Sequence, residues 1–174
     1  AARGTRSSAA YAPAPVGAPT RISIQTGESP ARLHWTKAAT PEDGRKLTEP
    51  RLVKSIASDE ITIGERLRDA GYATAHYGKW HLAGGGPESH GYDESDGDTG
   101  NEQAFKFTDP NPVDLFGMAE RAEKFMAKNQ RAGKPFYIQL SWNALHAHGN
   151  ALKATKAKYE HLQGGDGKQY ETAP

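Results

Sequence analysis

The pattern of apolar and polar positions predicts helices in three stretches of the chain. The clearest covers residues 62–71, where Thr62 and Glu65 have the spacing of a capping box and a glycine follows the last apolar position. A second amphipathic pattern covers residues 114–129, with acidic residues early and lysines late, as the helix dipole favours. A basic pattern over residues 151–162 predicts the last helix.

Two apolar runs follow the first two of these helices and predict strands. They cover residues 72–78 and 135–142, and the second is almost continuously apolar, as is typical of a central strand buried on both faces. Helix, turn and strand in succession favour an α/β fold, part of a mixed or parallel sheet flanked by helices. Residues 28–58 are predicted to be a long connection, and the acidic run within 93–101 a solvated loop.

A further helix is predicted from Pro19 to about Gly27, and the loop that leads into it suits an anion. Pro19 has the backbone angle of a first helical turn, and Thr20 supplies a hydroxyl near the start. Backbone N–H groups and the positive end of the helix dipole then point at whatever lies beside Gly17. Arg21 adds a planar set of donors for an oxyanion. The same proline and glycine are also ordinary in a turn without a ligand.

Composition narrows the classes of function modestly. The chain has 174 residues and a net charge of +1, so its bulk charge gives no argument for nucleic acid or for an acidic membrane surface. No apolar run approaches the length of a membrane span. The absence of cysteine excludes disulfides, thiolate zinc sites and a cysteine nucleophile in the chain as written. The seven histidines are the more informative residues.

Basic side chains follow both predicted strands. Lys79 and His81 come after the first strand, and His146 and His148 come after the second. If the sheet is parallel, Lys79, His81 and His146 converge at one edge, where the helix that carries Arg21 can also lie. Such a set of cations suits a tetrahedral oxyanion. Taken alone, each residue is more typical of a solvated strand end or loop, and the histidine pair lacks a nearby third ligand for a metal.

Several segments together resemble one known family. Gly-Ala-Pro-Thr-Arg at residues 17–21, followed by Thr-Gly at 26–27, resembles the sulfatase nucleophile signature, in which a Cys or Ser precedes a helix. Residues 71–82 are very similar to the second sulfatase signature, and residues 91–94 resemble the segment that follows it. Residues 140–146 look like the strand that delivers a sulfate-contacting histidine. The order is that of the family, so the chain is identified as a member of the sulfatases.

The resemblance implies an alkaline-phosphatase-like fold and a formylglycine-dependent sulfuric ester hydrolase. In that family the hydrated aldehyde attacks sulfur, and a divalent cation, usually calcium, helps hold nucleophile and sulfate. Residue 17, written Gly17, is then the nucleophile position and a metal ligand. Arg21 would orient the aldehyde hydrate, and His81 would assist proton transfer beside it. Lys79 and His146 would bind sulfate oxygens.

Substrate specificity in such enzymes comes from loops around the site. A sulfated carbohydrate is favoured over a steroid or lipid because these loops are polar and contain no apolar hairpin that would enter a membrane. The candidate contacts, beside Lys79 and His146, are Trp142 and His148, with His90, Asn101 and the 28–58 region as further loop candidates. The expected partner is a small-molecule or oligosaccharide sulfate ester, with neither nucleic acid nor a membrane.

Two interpretations of position 17 stay open. Either it is a formylglycine written as its nearest standard residue, or it is a true glycine in a catalytically inactive anion- or glycan-binding relative. The first is favoured because the motif around Gly17 is intact. A phosphate or phosphonate monoester hydrolase of the same superfamily is a further alternative, since its oxyanion pocket would look alike.

The resemblance also implies that residues 1–174 are part of a catalytic domain. The paired aspartates of the family lie on a first strand before residue 1, and its Asp-Asn metal pair and another lysine lie after residue 174. The remainder of the catalytic domain is therefore an expected partner of this segment, which alone would lack most ligands of the calcium, or of magnesium in its place.

We expect a periplasmic or secreted protein.

Overall fold

The computed structural model describes residues 4, 6–38, 46–108, 110–144, 146 and 151–162. Its helices and strands, in chain order, are α1 (Gly17–Thr26), α2 (Ile63–Asp69), β1 (Ala73–Gly78), β2 (Glu94–Ser95), α3 (Leu115–Arg131), β3 (Phe136–Ser141) and α4 (Lys153–Tyr159). Short 3₁₀ helices cover Pro87–His90 and Pro112–Asp114. As predicted, the described parts of residues 28–58 contain neither helix nor strand.

The three strands form one parallel sheet in the order β2-β1-β3, which confirms the predicted α/β class. β1 pairs with β3 along its whole length, from Ala73 opposite Phe136 to Gly78 opposite Ser141. Every residue of β1 is buried, so β1 and not β3 is the central strand of the described sheet. The prediction of a two-sided, buried β3 is wrong here, because β3 has a described neighbour on one side only and Phe136 is 37% exposed.

Apolar side chains pack on both faces of this sheet. Because side chains alternate along a strand, one face of β1 packs on α3 through Tyr77 and Met118. The other face lies towards α1 and the loops, where a second cluster gathers around Ile22 and Trp80. The sheet is thus the middle layer, and α1 lies on the face opposite to α3. Among the described residues, no helix is both long and apolar enough to span a membrane.

The acidic run after residue 92 is not the solvated loop that its charge predicts. Glu94 and Ser95 form β2, and two carboxylates beside them accept backbone N–H groups of β1. Asp93 accepts from Thr74 at 3.0 Å, and Asp96 accepts from Gly78 at 2.7 Å. These acidic residues therefore fix the segment to the central strand, since each carboxylate satisfies a donor that would otherwise lack a partner.

Helix α1 begins earlier than predicted. Its first residue is Gly17, with Val16 as the N-cap and no side-chain capping bond. The Thr20 hydroxyl donates to the Ala14 carbonyl at 2.9 Å instead of capping the helix. Gly27 ends the helix as predicted, with a left-handed φ of 74° and its N–H donating to the Ser23 carbonyl at 2.8 Å.

Helices α3 and α4 differ from their predicted bounds and faces. α3 ends at Arg131, and it buries Met118, Ala122 and Phe125, whereas Phe116, from the predicted apolar face, is 45% exposed. α4 is shorter than the predicted 151–162 and has no buried residue.

Helix α2 confirms its predicted capping box but packs differently from the prediction. Thr62 and Glu65 exchange side-chain and backbone hydrogen bonds at its start. The sequence pattern places Ile63, Leu67 and Ala70 on one apolar face, but Ala70 is exposed, and the buried residue of the helix is Gly64. A Cβ on Gly64 would lie 2.7 Å from the His90 carbonyl oxygen, so the absence of a side chain permits this close approach.

Replacing Gly64 with alanine is expected to lower the free energy of unfolding of the full-length protein by about 1–3 kcal/mol, the usual cost of overpacking. The new methyl group meets a backbone oxygen, which cannot move aside as a flexible side chain can. Urea-induced unfolding followed by tryptophan fluorescence measures the change.

The sign of this change is the test, because helix propensity alone makes alanine about 1 kcal/mol more favourable than glycine. A more stable Gly64→Ala variant would contradict the close packing. Gly4→Ala serves as the matched control, since a Cβ at Gly4 meets no atom within 4 Å.

Candidate active site

A cleft of about 370 Å³ lies where α1 begins and where β1 and β3 end. The predicted catalytic residues all line it, together with Trp142: Gly17, Arg21, Lys79, His81 and His146. The parallel sheet thus brings the residues after its two longer strands together, beside the first turn of α1. His148, the remaining predicted substrate contact, lies outside the described residues.

Arg21 links the start of α1 to the segment after β1. Its Nε donates to the Trp80 carbonyl at 2.9 Å, which leaves the two terminal nitrogens of the guanidinium for other partners. A Cβ built on Gly17 would lie 2.7 Å from Nη1 of Arg21 and 3.3 Å from Nη2. The guanidinium therefore lies directly beside the place that a side chain at position 17 would occupy.

The backbone at position 17 does not require glycine. Gly17 belongs to the first turn of α1, and its backbone lies outside the left-handed region. Among the described residues, the three atoms nearest to such a Cβ all belong to the end of the Arg21 side chain, whose terminal nitrogens can move by a few tenths of an ångström. A residue with an oxygen-bearing side chain thus fits at position 17, with guanidinium donors available to that oxygen.

Lys79 and His81 line the cleft, whereas Trp80 between them lies in the core. Trp80 is fully buried, and its indole N–H donates to the Ala83 carbonyl at 2.8 Å. His81 has a left-handed backbone with φ 53°, an uncommon conformation for a residue with a side chain. Its N–H donates to the Thr99 carbonyl at 2.7 Å, which holds this conformation in place.

Thr99 supports the same segment at two further points. Its hydroxyl donates to the Gly78 carbonyl at 2.7 Å and accepts the Trp80 N–H at 3.0 Å. These bonds place the residues that follow Thr99 beside Lys79. The Lys79 ammonium donates to Oδ1 of Asn101. Sequence reasoning named Asn101 only as a loop candidate for specificity; its contact with Lys79 depends on pairing across 22 positions.

Asn143 also lines the cleft and was missed by sequence reasoning. It is 5% exposed, and its Nδ2 donates to the Val113 carbonyl at 3.4 Å. No sequence signal distinguishes Asn143 from its neighbours, since the basic residues after β3 are the ones that suggest an anion site. His146 packs edge-on against Phe105, with ring centroids 5.3 Å apart, and Trp142 is 44% exposed at the rim.

Burial and neighbouring positive charges lower the pKa values of the cations in the cleft. Burial lowers the pKa of Arg21 to about 10. Burial and then the Arg21 charge lower the pKa of Lys79. Burial, Lys79 and Arg21, in that order, lower the pKa of His81, so its imidazole is neutral at neutral pH. A bound anion would relieve these repulsions, so the charges of the cleft suit an anion.

His76 belongs to a buried polar network next to the site and does not line the cleft. Its Nε2 lies 3.2 Å from the Ser141 hydroxyl, and burial lowers its pKa to about 4. On the same face of the sheet, Gln25 of α1 donates to Gln139 of β3 at 2.9 Å. Tyr92 donates to Gln25 at 2.9 Å. This network joins α1 to the sheet, and burial keeps His76 uncharged at neutral pH.

Within the part of the chain that the structure describes, no group of three or more His, Asp or Glu side chains is placed to hold a metal ion. The acidic side chains nearest to β1 are occupied by backbone donors and by Arg121, to which Asp96 is joined at 2.9 Å. The described residues therefore do not by themselves fit a divalent cation.

Comparisons with known proteins point to one family. A family model described as Sulfatase matches residues 1–171. An arylsulfatase of Hemicentrotus pulcherrimus is 35% identical over 92 residues, which cover 47% of this chain and 14% of that protein. The N-acetylgalactosamine-6-sulfatase of Canis lupus familiaris is 26% identical, covering 84% of this chain and 34% of that protein.

The fold also matches a solved structure. The crystal structure of Ps i-CgsB in complex with k-i-k-neocarrahexaose superposes with a TM-score of 0.67 and 21% identity, covering 92% of this chain and 41% of that one. The predicted alkaline-phosphatase-like α/β fold is thereby confirmed. The chain spans 14% and 34% of the lengths of the two curated relatives named above.

Replacing Lys79 with glutamine is expected to raise the pKa of His81 towards its ordinary value. The Lys79 ammonium disfavours the imidazolium, so removing that charge makes protonation easier. Titration of the His81 ring in the full-length protein by NMR measures the shift. Lys128→Gln is the control, because Lys128 pairs with Glu94 and is not among the charges acting on His81. An unchanged or lower His81 pKa in the Lys79 variant would refute the electrostatic account.

Proposed function

This chain belongs to the sulfatase family, and from that premise we propose that the protein hydrolyses a sulfate ester of a carbohydrate, through a formylglycine at position 17 and with a divalent cation. The observation that carries the proposal is the Arg21 guanidinium beside position 17, within a cleft that Lys79, His81 and His146 also line. This arrangement suits an anionic ester held next to a nucleophile.

Each residue of the cleft has a task that follows from its surroundings. When present, formylglycine supplies a hydrated aldehyde as the nucleophile. Arg21, held by the Trp80 carbonyl, directs its remaining N–H donors at that hydrate and fixes its orientation. Lys79, held by Asn101, and His146 donate to the sulfate oxygens and stabilise their charge. His81, neutral because of its lowered pKa, would accept on an imidazole nitrogen the proton that a hydroxyl group of this hydrate releases.

The cation is proposed from the family resemblance alone. The described residues hold no cluster of ligands for it, so most of its ligands must come from outside the described part of the chain, with the position 17 side chain as one contributor. An oxygen atom of the position 17 side chain suits calcium, or magnesium in its place, because both cations prefer oxygen ligands. The tasks assigned to Arg21, Lys79, His81 and His146 do not depend on which of the two binds.

A sulfated carbohydrate is the proposed substrate class. The canine relative is an N-acetylgalactosamine-6-sulfatase, and the superposed crystal structure is a complex with k-i-k-neocarrahexaose. Polar residues and an exposed Trp142 at the rim of the cleft suit a sugar, whose rings have both hydroxyl groups and apolar faces. A periplasmic or secreted location is proposed with this substrate.

The glycine written at position 17 favours one second candidate, a relative that binds anionic glycans without hydrolysis. The two candidates differ in a single side chain. Every other feature of the cleft serves both, because cations that stabilise a reacting sulfate also bind an unreactive one.

We expect mass spectrometry to find formylglycine at position 17 in protein purified from its native host. Trypsin cleaves after Arg6 and Arg21, so one peptide, residues 7–21, reports on this position. The modified peptide is heavier than the glycine form by one carbon monoxide unit. A peptide with the mass of unmodified glycine would contradict the hydrolase and favour the binding relative.

Arg21→Lys is expected to lower kcat of the full-length enzyme for an aryl sulfate by about 10²-fold, the usual loss when one stabilising donor is removed. A lysine keeps the charge, but its single ammonium lacks the planar guanidinium with which Arg21 donates to the Trp80 carbonyl and also faces position 17. Sulfate release measured under saturating substrate reports kcat.

Arg32→Lys is the matched control, because the Arg32 side chain is 75% exposed and lies outside the cleft. Wild-type activity in Arg21→Lys would refute the orienting role. The same enzyme is assayed on the corresponding aryl phosphate, and faster release of phosphate than of sulfate would identify a phosphate monoesterase instead.

A further inference from the structure

A second cleft of about 190 Å³ opens beside the first. The two share Ala18, Ala38 and His81 as lining residues, so they are continuous around His81. The second cleft is smaller than the sites that usually hold a whole ligand, about 300 Å³ or more. Its size and continuity indicate an extension of the first cleft rather than a separate site.

The walls of the second cleft are held by backbone hydrogen bonds and by the core. Val53 donates its N–H to the His34 carbonyl at 2.9 Å, and Ile56 donates to the Leu82 carbonyl at 2.9 Å. Trp35, at the base, is 6% exposed and packs in the same cluster as Ala18 of α1. The cleft is therefore formed before a ligand arrives, because its shape depends on contacts that a ligand does not supply.

The charged groups of this cleft are cationic. Its lining includes Lys37 and Lys54, and none of the described lining residues is acidic. Lys37 is paired with Glu49 at 2.5 Å, which neutralises most of its charge. Lys54 is exposed, and no ion pair of Lys54 is found among the residues that the structure describes. Lys54 is thus the charge that an anionic ligand would meet.

We propose that the second cleft binds an anionic substituent on the sugar next to the one that carries the scissile sulfate, and that Lys54 pairs with it. This inference rests on the proposed function, because it assumes a glycan in the first cleft. The glycan would extend past His81, with its apolar ring face against Leu52 and Val53 and its second anion at Lys54. The substrate would then be a glycan with anionic groups on adjacent sugars.

Two disaccharides that differ by one sulfate test the proposal in the full-length enzyme. Both carry the scissile sulfate, and only one carries a second sulfate on the neighbouring sugar. The second sulfate is expected to raise kcat/KM by about fivefold, as an exposed ion pair allows, and Lys54→Ala is expected to abolish this gain. Lys54→Glu should make the disulfated substrate the poorer one. Lys46→Ala, an exposed lysine outside both clefts, should keep the gain.

Calorimetric titration with the product of the disulfated substrate, which keeps only the second sulfate, gives a readout independent of catalysis. Lys54→Ala is expected to raise the Kd of this product by about fivefold, whereas Lys46→Ala is expected to leave it unchanged. If Lys54→Ala keeps the gain in kcat/KM, or binds the product with an unchanged Kd, the proposed subsite is overturned. Absence of sulfate release from either disaccharide, with binding still dependent on Lys54, overturns the hydrolase and leaves the cleft as a site for anionic glycans.

Discussion

The hydrogen bond from Nε of Arg21 to the Trp80 carbonyl, at 2.9 Å, is the contact on which the cleft depends. It joins the first turn of α1 to the segment after β1, and so brings position 17 next to Lys79 and His81. The bond is fixed at its acceptor end because Trp80 is fully buried and its indole is bound to the Ala83 carbonyl. The placement of a charged group in the cleft is thus set by packing in the core.

The segment after β2 supplies the second half of this support. Asp96 accepts the Gly78 N–H at the end of β1, and the Thr99 hydroxyl donates to the Gly78 carbonyl. The chain then continues to Asn101, which holds the Lys79 ammonium. A strand of two residues therefore has a large effect on the site, because its parallel pairing with β1 sets the position of residues 96–101.

The capping box of α2 and the convergence of the strand ends could be predicted from the sequence, whereas side-chain partners far apart in the sequence could not. The capping box of Thr62 and Glu65 lies within four residues, and the convergence of strand ends follows from parallel topology alone. The structural use of Asp93 and Asp96 was missed because their partners in β1 lie 19 and 18 positions away, and charge by itself suggested solvent. The contact of Asn101 with Lys79 was missed for the same reason.

The charge of the cleft does not by itself choose between sulfate and phosphate esters. Burial lowers the pKa of Arg21, and burial and then the Arg21 charge lower the pKa of Lys79. A bound anion of either kind would offset this cost of keeping both side chains charged. A phosphate monoester carries between one and two negative charges near neutral pH and a sulfate monoester carries one, so these cations alone favour phosphate. If the protein hydrolyses sulfate esters as proposed, its preference for sulfate must then come from the group at position 17, where an added Cβ would lie 2.7 Å from Nη1 of Arg21. In the proposed hydrolase the cations would provide the affinity that both esters share, and the nucleophile at position 17 would decide which ester reacts.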